Sequence, residues 1–351
     1  MKGKIKARLE QGVYERVFPG AVVGVVEKSG ERAIVAVGKF TYDSDAPSVT
    51  DDTVYDTASI TKSVPVALLV WWALERNLLS LDDPVTKYIP EITIPDADKG
   101  RIRHLLTYTY YLQKNPDPNF SYARYSARDI FEFLYTRPFA FLPGTQYQYS
   151  NTPTNLLGII LERITKKKLY ELAQEIILDP LQMTSATFHP SDPTHIPPTE
   201  IVDWRGVVQG VVHDETAYLL QKEGYDAGCA GLFSNADDLL NPIEMILNGG
   251  IFKTARICEL GSIVGMSTNA LDVIAQWSGI GWELNQPRFM GAYSHEHMMG
   301  KTGFTGTCMI IDLKRQRGFV MLSNRTYPTR PENADAIVTV RRDLADIIFA
   351  P

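Results

Sequence analysis

Residues 57–62 read Thr-Ala-Ser-Ile-Thr-Lys and lead directly into an apolar stretch, residues 64–74. A helix that begins near Ser59 would carry Lys62 on the same face, about one turn away and within reach of its side chain. A serine hydroxyl is a weak nucleophile near neutral pH and needs a neighbouring base. The spacing therefore predicts a nucleophile, Ser59, and its base, Lys62, at the start of a buried helix.

The position at a helix start also suits the chemistry of a serine alkoxide. Free backbone N–H groups and the helix macrodipole favour negative charge there. Lys62 can act as a base only while its amine is neutral, which burial or a second nearby cation favours. A serine and a lysine three residues apart also occur by chance, and the alternative is an N-capping serine followed by a solvated lysine.

A second candidate segment follows a turn at residues 142–145 and precedes a predicted helix start at Thr152-Pro153. In an extended segment residues two apart point the same way, which predicts that Tyr149 and Asn151 face one cavity. A phenol can relay protons, and a carboxamide can bind the flank of an amide or ester. The alternative is two polar residues in a solvated loop.

A third segment, residues 300–307, reads Gly-Lys-Thr-Gly-Phe-Thr-Gly-Thr and is predicted to open a strand that continues through residues 309–313. Lys301 would supply the second cation, and glycines in a strand mark close approach by a ligand or another backbone. The backbone N–H groups of Phe304 and Ser59 would together form an oxyanion hole. The alternative is a glycine-rich β-turn.

The ordered set of S-x-x-K, Tyr-x-Asn and Lys-Thr-Gly resembles the serine β-lactamase and penicillin-binding protein superfamily. The Tyr-Ser-Asn form of the second motif is similar to class C β-lactamases, D,D-peptidases and related esterases. Residues 18–21, 231–239 and 322–325 resemble framework segments of the same family, so the resemblance covers nearly the whole chain.

The resemblance implies a β-lactamase/transpeptidase-like fold and a two-step acyl transfer through a serine ester. It implies Ser59 as the acylated nucleophile, Lys62 as its base and Tyr149 as a proton relay. It further implies a set of substrate-binding residues: Asn151, Lys301, Thr302, Gly303 and Phe304. His213 and Asp214 resemble a segment beside the cleft in some relatives and are further candidates, with a loop histidine capped by its neighbour as the alternative.

Two departures from the family pattern bear on the substrate. Residues 106–111 read Leu-Thr-Tyr-Thr-Tyr-Tyr where many relatives have Leu-Thr-His-Thr-Ser-Gly, which predicts an aromatic loop, residues 108–125, near the cleft mouth. Phe304 replaces the small residue usual in class C β-lactamases. Both favour an ester or a D-amino-acid peptide over a β-lactam as substrate. A slow penicillin-binding or sensor module, and an acyltransferase with an alcohol or amine acceptor, are the alternative functions.

The hydrophobic pattern predicts an α+β fold. Helices are predicted at 4–16, after Ser59 with a bend at Pro65, and at 127–135, 155–165, 169–177, 242–247 and 332–350; strands at 21–27, 32–37, 280–284, 309–313 and 319–324. Strand signals at both ends predict one antiparallel sheet built from both termini and flanked by helices. Residues 1–56 and 242–351 would form this sheet lobe and residues 57–241 a mostly helical inserted lobe, with the active site in the cleft between them.

Composition limits the classes of partner. The 351 residues carry a net charge of −6, which argues against nucleic acid and favours a small-molecule or peptide substrate. No apolar run is long enough to span a membrane, and no secretory signal is recognisable, so a cytoplasmic location is expected. Three widely spaced cysteines and a His-Glu-His triplet at 295–297 predict neither a metal site nor a cofactor. The oligomeric state is left open.

Overall fold

A computed structural model describes residues 1–116 and 121–351. In that part of the chain the strands are β1 (Gly20–Glu27), β2 (Arg32–Gly38), β3 (Tyr55–Asp56), β4 (Glu200–Val202), β5 (Gly206–Val208), β6 (Phe233–Ser234), β7 (Ile251–Phe252), β8 (Ala255–Arg256), β9 (Ser278–Gly279), β10 (Trp282–Leu284), β11 (Met298–Thr302), β12 (Cys308–Asp312) and β13 (Arg317–Ser323). Seven of these strands form the main sheet, in the order β2-β1-β13-β12-β11-β10-β9.

Helices surround this sheet and fill the chain between its two halves. The α-helices are α1 (Lys2–Tyr14), α2 (Leu68–Glu75), α3 (Ile102–Leu106), α4 (Ala127–Thr136), α5 (Thr152–Thr165), α6 (Leu169–Ala173), α7 (Glu215–Lys222), α8 (Ala236–Leu247), α9 (Leu260–Ser267), α10 (Pro287–Met290) and α11 (Asp335–Phe349). Short 3-10 helices lie at Ala58–Lys62, Val85–Lys87, Ala97–Lys99, Tyr122–Arg124, Pro193–His195 and Asp272–Ile274, and π-helical turns at Ser63–Ala67 and Gln174–Leu178.

One strand pairing of the main sheet joins the two ends of the chain. Strand β1 lies between β2 and β13, so that Val23 is opposite Val35 on one side and Met321 on the other. All neighbouring pairs in the main sheet are antiparallel. The predicted α+β fold, with a sheet built from both termini and helices inserted between them, is therefore confirmed.

Both faces of the sheet are covered, because successive side chains of a strand point to opposite sides. Val23 and Phe319 pack with Leu344 of α11 in a core that also includes α1 and α10. Val22 and Val320 point the other way into a larger core, shared with α8 and the helical part of the chain. The sheet thus forms the middle layer between two hydrophobic cores.

The segment that begins at Ser59 is a broken helix. It starts as a 3-10 helix, Ala58–Lys62, passes through a π-helical turn and becomes regular only in α2. The break lies at Val64, whose φ of −125° and ψ of 113° are extended. Pro65 excludes the helical conformation at the residue before it and has no N–H to donate, so the predicted bend at Pro65 is confirmed.

Other boundaries differ from the prediction. Strand β11 was not predicted, and the single strand expected at 280–284 is two short strands, β9 and β10, separated around Gly281, whose φ is +88°. Only glycine adopts that conformation without strain, so the chain turns there. The division into lobes at 57 and 241 remains a proposal, and its second boundary falls within α8. No helix in residues 1–116 and 121–351 has the length and apolar content to cross a bilayer.

The terminal helix should contribute strongly to stability, because Leu344 is fully buried against the sheet. We expect Leu344→Ala to lower the free energy of unfolding by about 2–5 kcal/mol, from lost transfer energy and the cavity left behind. The matched control is Arg342→Ala on the same helix, whose side chain is 48% exposed and which should cost under about 0.5 kcal/mol. Urea unfolding measures both, and equal losses would contradict the packing described.

Candidate active site

Ser59 is held by a tightly tied turn. The Ala58 N–H donates to Asp56 Oδ1 at 2.8 Å, and Ala58 itself has a left-handed φ of +48°. A non-glycine residue in that region is uncommon and persists only where its surroundings fix it. The hydroxyls of Thr57 and Thr61 donate to the carbonyls of Leu232 and Ala58, both at 2.7 Å. This turn fixes the backbone that carries Ser59.

Asp56 links that turn to a distant loop. Its second carboxylate oxygen accepts the His213 N–H at 2.6 Å. Burial raises the pKa of Asp56 to about 6, while the two backbone hydrogen bonds from His213 and Ala58 oppose that rise. Residues 56 and 213 are therefore joined inside the protein, directly behind the segment that presents Ser59.

Lys62 reaches Ser59 as the spacing predicted. Its Nζ lies 2.8 Å from Ser59 Oγ and donates to the Cys229 carbonyl at 2.7 Å. The Lys62 side chain is buried, so these contacts fix the amine against the hydroxyl. A short distance between a hydroxyl and a potential base is the geometry that nucleophilic catalysis requires.

Tyr149 lies between two amines. The centre of its ring is 5.4 Å from Lys62 Nζ and 4.5 Å from Lys301 Nζ. Tyr149 and Ser59 line the same cleft, which has a volume of about 410 Å³. Three further predicted site residues line this cleft as well: Thr302, Gly303 and Phe304.

Lys301, the second cation predicted from the sequence, already has partners within the protein. Its fully buried Nζ lies 2.9 Å from Glu283 Oε1 and 3.0 Å from the Tyr108 hydroxyl. Burial lowers the pKa of Lys301, but Glu283 and the surrounding tyrosines outweigh burial and keep the pKa well above its ordinary value. Glu283 was not predicted as a site residue from the sequence. The sequence feature that could have identified it is an acidic residue in an otherwise apolar strand, between Trp282 and Leu284.

Asn151 does not share the orientation of Tyr149, so that prediction was wrong. Alternation of side chains holds only in extended backbone, and Asn151 already has the helical values φ −80° and ψ −27° at the start of α5. Its side chain donates to Asp214 Oδ2 at 2.7 Å. It lines an adjoining cavity of about 540 Å³ rather than the cleft that contains Ser59.

The third motif ends one strand and turns before the next. Lys301 and Thr302 are the last residues of β11, so the expectation that they open the following strand was wrong. A Cβ on Gly303 would lie 2.7 Å from the Thr57 carbonyl oxygen, which confirms a close backbone approach at this glycine. Within the described residues the Phe304 N–H donates no hydrogen bond, so it is free to serve a substrate.

Phe304 is 46% exposed, and its ring is contacted by three neighbouring side chains. The centre of its ring is 5.6 Å from that of His213. The guanidinium carbons of Arg325 and Arg330 lie 5.0 Å and 5.5 Å from the Phe304 ring. Phe304 is thus a supported aromatic surface at the edge of the Ser59 cleft.

His213 is a buried imidazole beside Phe304. In the described part of the chain, neither of its ring nitrogens has a hydrogen-bond partner. Burial lowers the pKa of His213 to about 3, and Arg330, Arg205 and Arg325 act in the same direction. The carboxylate of Glu200, 3.8 Å from Nε2, is already bound by Arg330 and does not offset this effect.

Asp214 does not cap the neighbouring histidine, as the alternative interpretation supposed. Its carboxylate accepts the Ala217 N–H at 2.9 Å and so begins α7. The other oxygen accepts the hydrogen bond from Asn151, so Asp214 fixes a residue of the second motif. His213 and Asp214 therefore contact predicted site residues from behind, without lining the Ser59 cleft.

The first residues of the predicted aromatic loop do not form an exposed mouth of the cleft. Tyr108 and Tyr110 are buried. The Tyr108 ring packs against Tyr149, whereas the Tyr110 ring packs against Phe139. Residues 117–120 of the predicted loop lie outside the described residues.

Among the residues that are described, no three His, Cys, Asp or Glu side chains are arranged to hold a metal ion. His295 of the His-Glu-His triplet instead lies 3.2 Å from Asp312.

Comparison with known proteins agrees with these motifs. Residues 5–342 match the family model described as beta-lactamase. The chain belongs to the beta-lactamase family. A relative of this family member in Escherichia coli (strain K12), named as a putative D-alanyl-D-alanine carboxypeptidase, is 30% identical over 310 residues, which cover 79% of this chain and 70% of that protein.

Solved structures show that this beta-lactamase family member has the β-lactamase/transpeptidase-like fold that was predicted. EstCE1, described as a hydrolase with promiscuous acyltransferase activity, matches with a TM-score of 0.77 and 19% identity over 98% of both chains. A class C β-lactamase from Rhodobacter sphaeroides matches with a TM-score of 0.69 and 21% identity, over 98% of this chain and 99% of that chain. Together with the family match over residues 5–342, the chain is a β-lactamase-family serine hydrolase.

The buried state of His213 predicts a pH dependence of stability. Its folded pKa lies below its unfolded pKa, so the unfolded state binds the proton first and stability falls as pH drops from about 6.5 towards 3. Between pH 7.5 and pH 5, we expect the proton uptake of His213 to lower the free energy of unfolding of the wild type by about 2 kcal/mol. The variant His213→Phe should lack this decrease. Urea unfolding at both pH values measures the difference. Parallel pH dependence in the two proteins would contradict a buried neutral imidazole.

Proposed function

We propose that this serine hydrolase acts through an acyl-enzyme formed on Ser59. The observation that carries the proposal is the 2.8 Å separation between Lys62 Nζ and Ser59 Oγ, in a cleft that is open to a substrate. Tyr149 beside both amines supports it further. The name of the Escherichia coli relative, a carboxypeptidase, is consistent with acyl transfer.

In the first step, the unprotonated amine of Lys62 accepts the Ser59 proton while Oγ forms a bond to the acyl carbon of the substrate. The π electrons of the carbonyl move to its oxygen, which becomes an oxyanion. The backbone N–H groups of Ser59 and Phe304 would donate to this oxyanion, each contributing roughly 3 kcal/mol of transition-state stabilisation. Thr302, which lines the cleft, would hold the flank of the substrate.

In the second step, the oxyanion re-forms the carbonyl and the bond to the leaving group breaks. The leaving group takes a proton through Tyr149, which is replenished from the Lys62 ammonium. Water then attacks the Ser59 ester, loses a proton to the same base and releases the acid, while Ser59 recovers its hydrogen. The net reaction is hydrolysis of one acyl bond.

The charge of the cleft favours one class of substrate. Three arginines line it: Arg288, Arg325 and Arg341. In the part of the chain that the structure describes, none of them forms an ion pair with a carboxylate, and the buried Nε of Arg341 has no hydrogen-bond partner. Burial lowers the pKa of Arg341 to about 10, and the charge of Arg325 acts in the same direction. A bound anion would relieve both effects.

We therefore infer that the substrate carries a carboxylate close to its scissile bond. A peptide that ends in a D-amino acid has its terminal carboxylate one residue from the bond to be cleaved, so this class fits the cleft best. Glu283 does not cancel the positive charge of the arginines, since Lys301 already pairs with it. An ester or a β-lactam that carries the same anionic group would meet the same arginines.

Covalent labelling tests the nucleophile. We expect a fluorophosphonate or a labelled penicillin to add the mass of one probe molecule to each wild-type chain and to leave Ser59→Ala unlabelled. The turnover of Ser59→Ala should fall roughly 10³-fold or more. Ser29→Ala, in the exposed turn between β1 and β2, is the control and should be labelled normally. Intact-mass spectra measure the adducts. Wild-type protein that forms no adduct with either probe would refute the proposal.

A pair of peptides tests the anionic substrate. We expect Arg288→Gln to raise KM for a peptide ending in D-Ala-D-Ala roughly 10-fold, by removing a charge-assisted hydrogen bond, and to leave the same peptide with an amidated C-terminus almost unaffected. Arg342→Gln, on the exposed face of α11, is the matched control. Steady-state kinetics give both values. An equal change for the acid and the amide would rule out this role for the arginine.

A further inference from the structure

Tyr108 has an unusual backbone for so large a residue. Its φ is +54°, in the left-handed region that bulky side chains rarely occupy, and its side chain is almost completely buried. Its carbonyl oxygen accepts the Gln148 N–H at 2.9 Å, which ties the loop to the residue next to Tyr149. Such conformations persist where the surroundings over-determine them, often at functional sites.

The Tyr108 side chain is directed at two groups of the proposed site. Its hydroxyl lies 3.0 Å from Lys301 Nζ, and its ring centre lies 4.9 Å from that of Tyr149. Lys301 Nζ is 4.5 Å from the centre of each of these two rings. The ammonium therefore lies against both phenol rings, in an arrangement that favours its charged form.

Glu283 completes this arrangement from the neighbouring strand. It lies on β10 opposite Gly300 of β11, and its carboxylate is 2.9 Å from Lys301 Nζ. The titratable groups that face Lys301 are Glu283, Tyr108, Tyr147 and Tyr149. Glu283 is the only carboxylate among these four, so it is the group that pairs with the buried ammonium as a salt bridge.

Resting on the proposed acyl-enzyme function, we propose that Tyr108 and Glu283 are positioning residues that hold a protonated Lys301 against Tyr149. A fixed ammonium stabilises the phenolate that forms when Tyr149 gives its proton to the leaving group, and it aims the phenol at that group. Lys301 thereby serves the proton relay, while the substrate anion is left to the arginines. Neither positioning residue needs to touch the substrate.

Leaving-group dependence separates this role from a purely structural one. We expect Tyr108→Phe, which keeps the ring and removes the hydroxyl, to lower kcat roughly 10-fold for an amide or alkyl ester. A p-nitrophenyl ester of the same acyl group needs little protonation of its leaving group and should change less than 2-fold. KM should stay constant in both cases. Tyr110→Phe is the matched control, since its buried hydroxyl has no partner among the described residues.

The pH profile tests Glu283. Without the charge of Glu283, only the tyrosines oppose the lowering of the Lys301 pKa by burial. We therefore expect Glu283→Gln to move the alkaline limb of the kcat profile for the amide to lower pH by at least one unit. Glu283→Asp should restore the wild-type limb in part. Circular dichroism and thermal unfolding verify that each variant is folded. If Glu283→Gln fails to fold, the Glu283→Asp profile and the Tyr108→Phe leaving-group ratio decide the question.

The labelling of Ser59 keeps the two proposals apart. Wild type that reacts with the fluorophosphonate, together with altered leaving-group ratios and pH profiles in the variants, would support the positioning role. Wild type that reacts, with folded variants that match it in both readouts, would overturn this inference and leave the Ser59 mechanism standing. Absence of labelling in the wild type would remove the proposed function itself.

Discussion

Two threonine hydroxyls hold the parts of the candidate site together. The side chains of Thr305 and Thr307, in the turn after β11, donate to the carbonyls of Asp56 and Thr57, each at 2.9 Å. All four groups are buried, so a lost bond would leave a polar atom unsatisfied without water to replace it. These bonds fix the distance between the segment that carries Ser59 and the strand that carries Lys301. A side chain at Gly303 would force that contact apart.

The terminal helix secures the same turn from the other side. Arg341 of α11 donates to the carbonyls of Gly303 and Thr307 at 2.7 Å and 2.9 Å. The last helix of the chain therefore supports the turn that presents the Phe304 N–H. Because β1 pairs with β13, both ends of the chain contribute to the sheet that carries Lys301. Site geometry and global folding are consequently coupled in this protein.

Local spacing and periodicity predicted one part of this molecule well. Ser59 and Lys62 are three residues apart, so a single turn of helix brings them together. Strands β1, β12 and β13 and helix α11 have strong apolar patterns and were predicted nearly to their ends. Asn151 was misplaced because helical backbone begins one residue earlier than the alternation assumed. The positions of Tyr108 and Glu283 depend on tertiary register, which short strands such as β10 do not encode in their pattern.

The cations of the site differ in what neutralises them, and that difference separates their proposed roles. Lys301 is fully buried and already has a carboxylate partner, so a substrate anion could bind it only by displacing Glu283 or by leaving the pair with excess negative charge. The arginines of the cleft have no such partner within residues 1–116 and 121–351, and Arg288 is exposed. An incoming carboxylate gains most where positive charge is unpaired and accessible. In the proposed scheme the buried charge of Lys301 therefore serves Tyr149, and the exposed charge of Arg288 is left for the substrate.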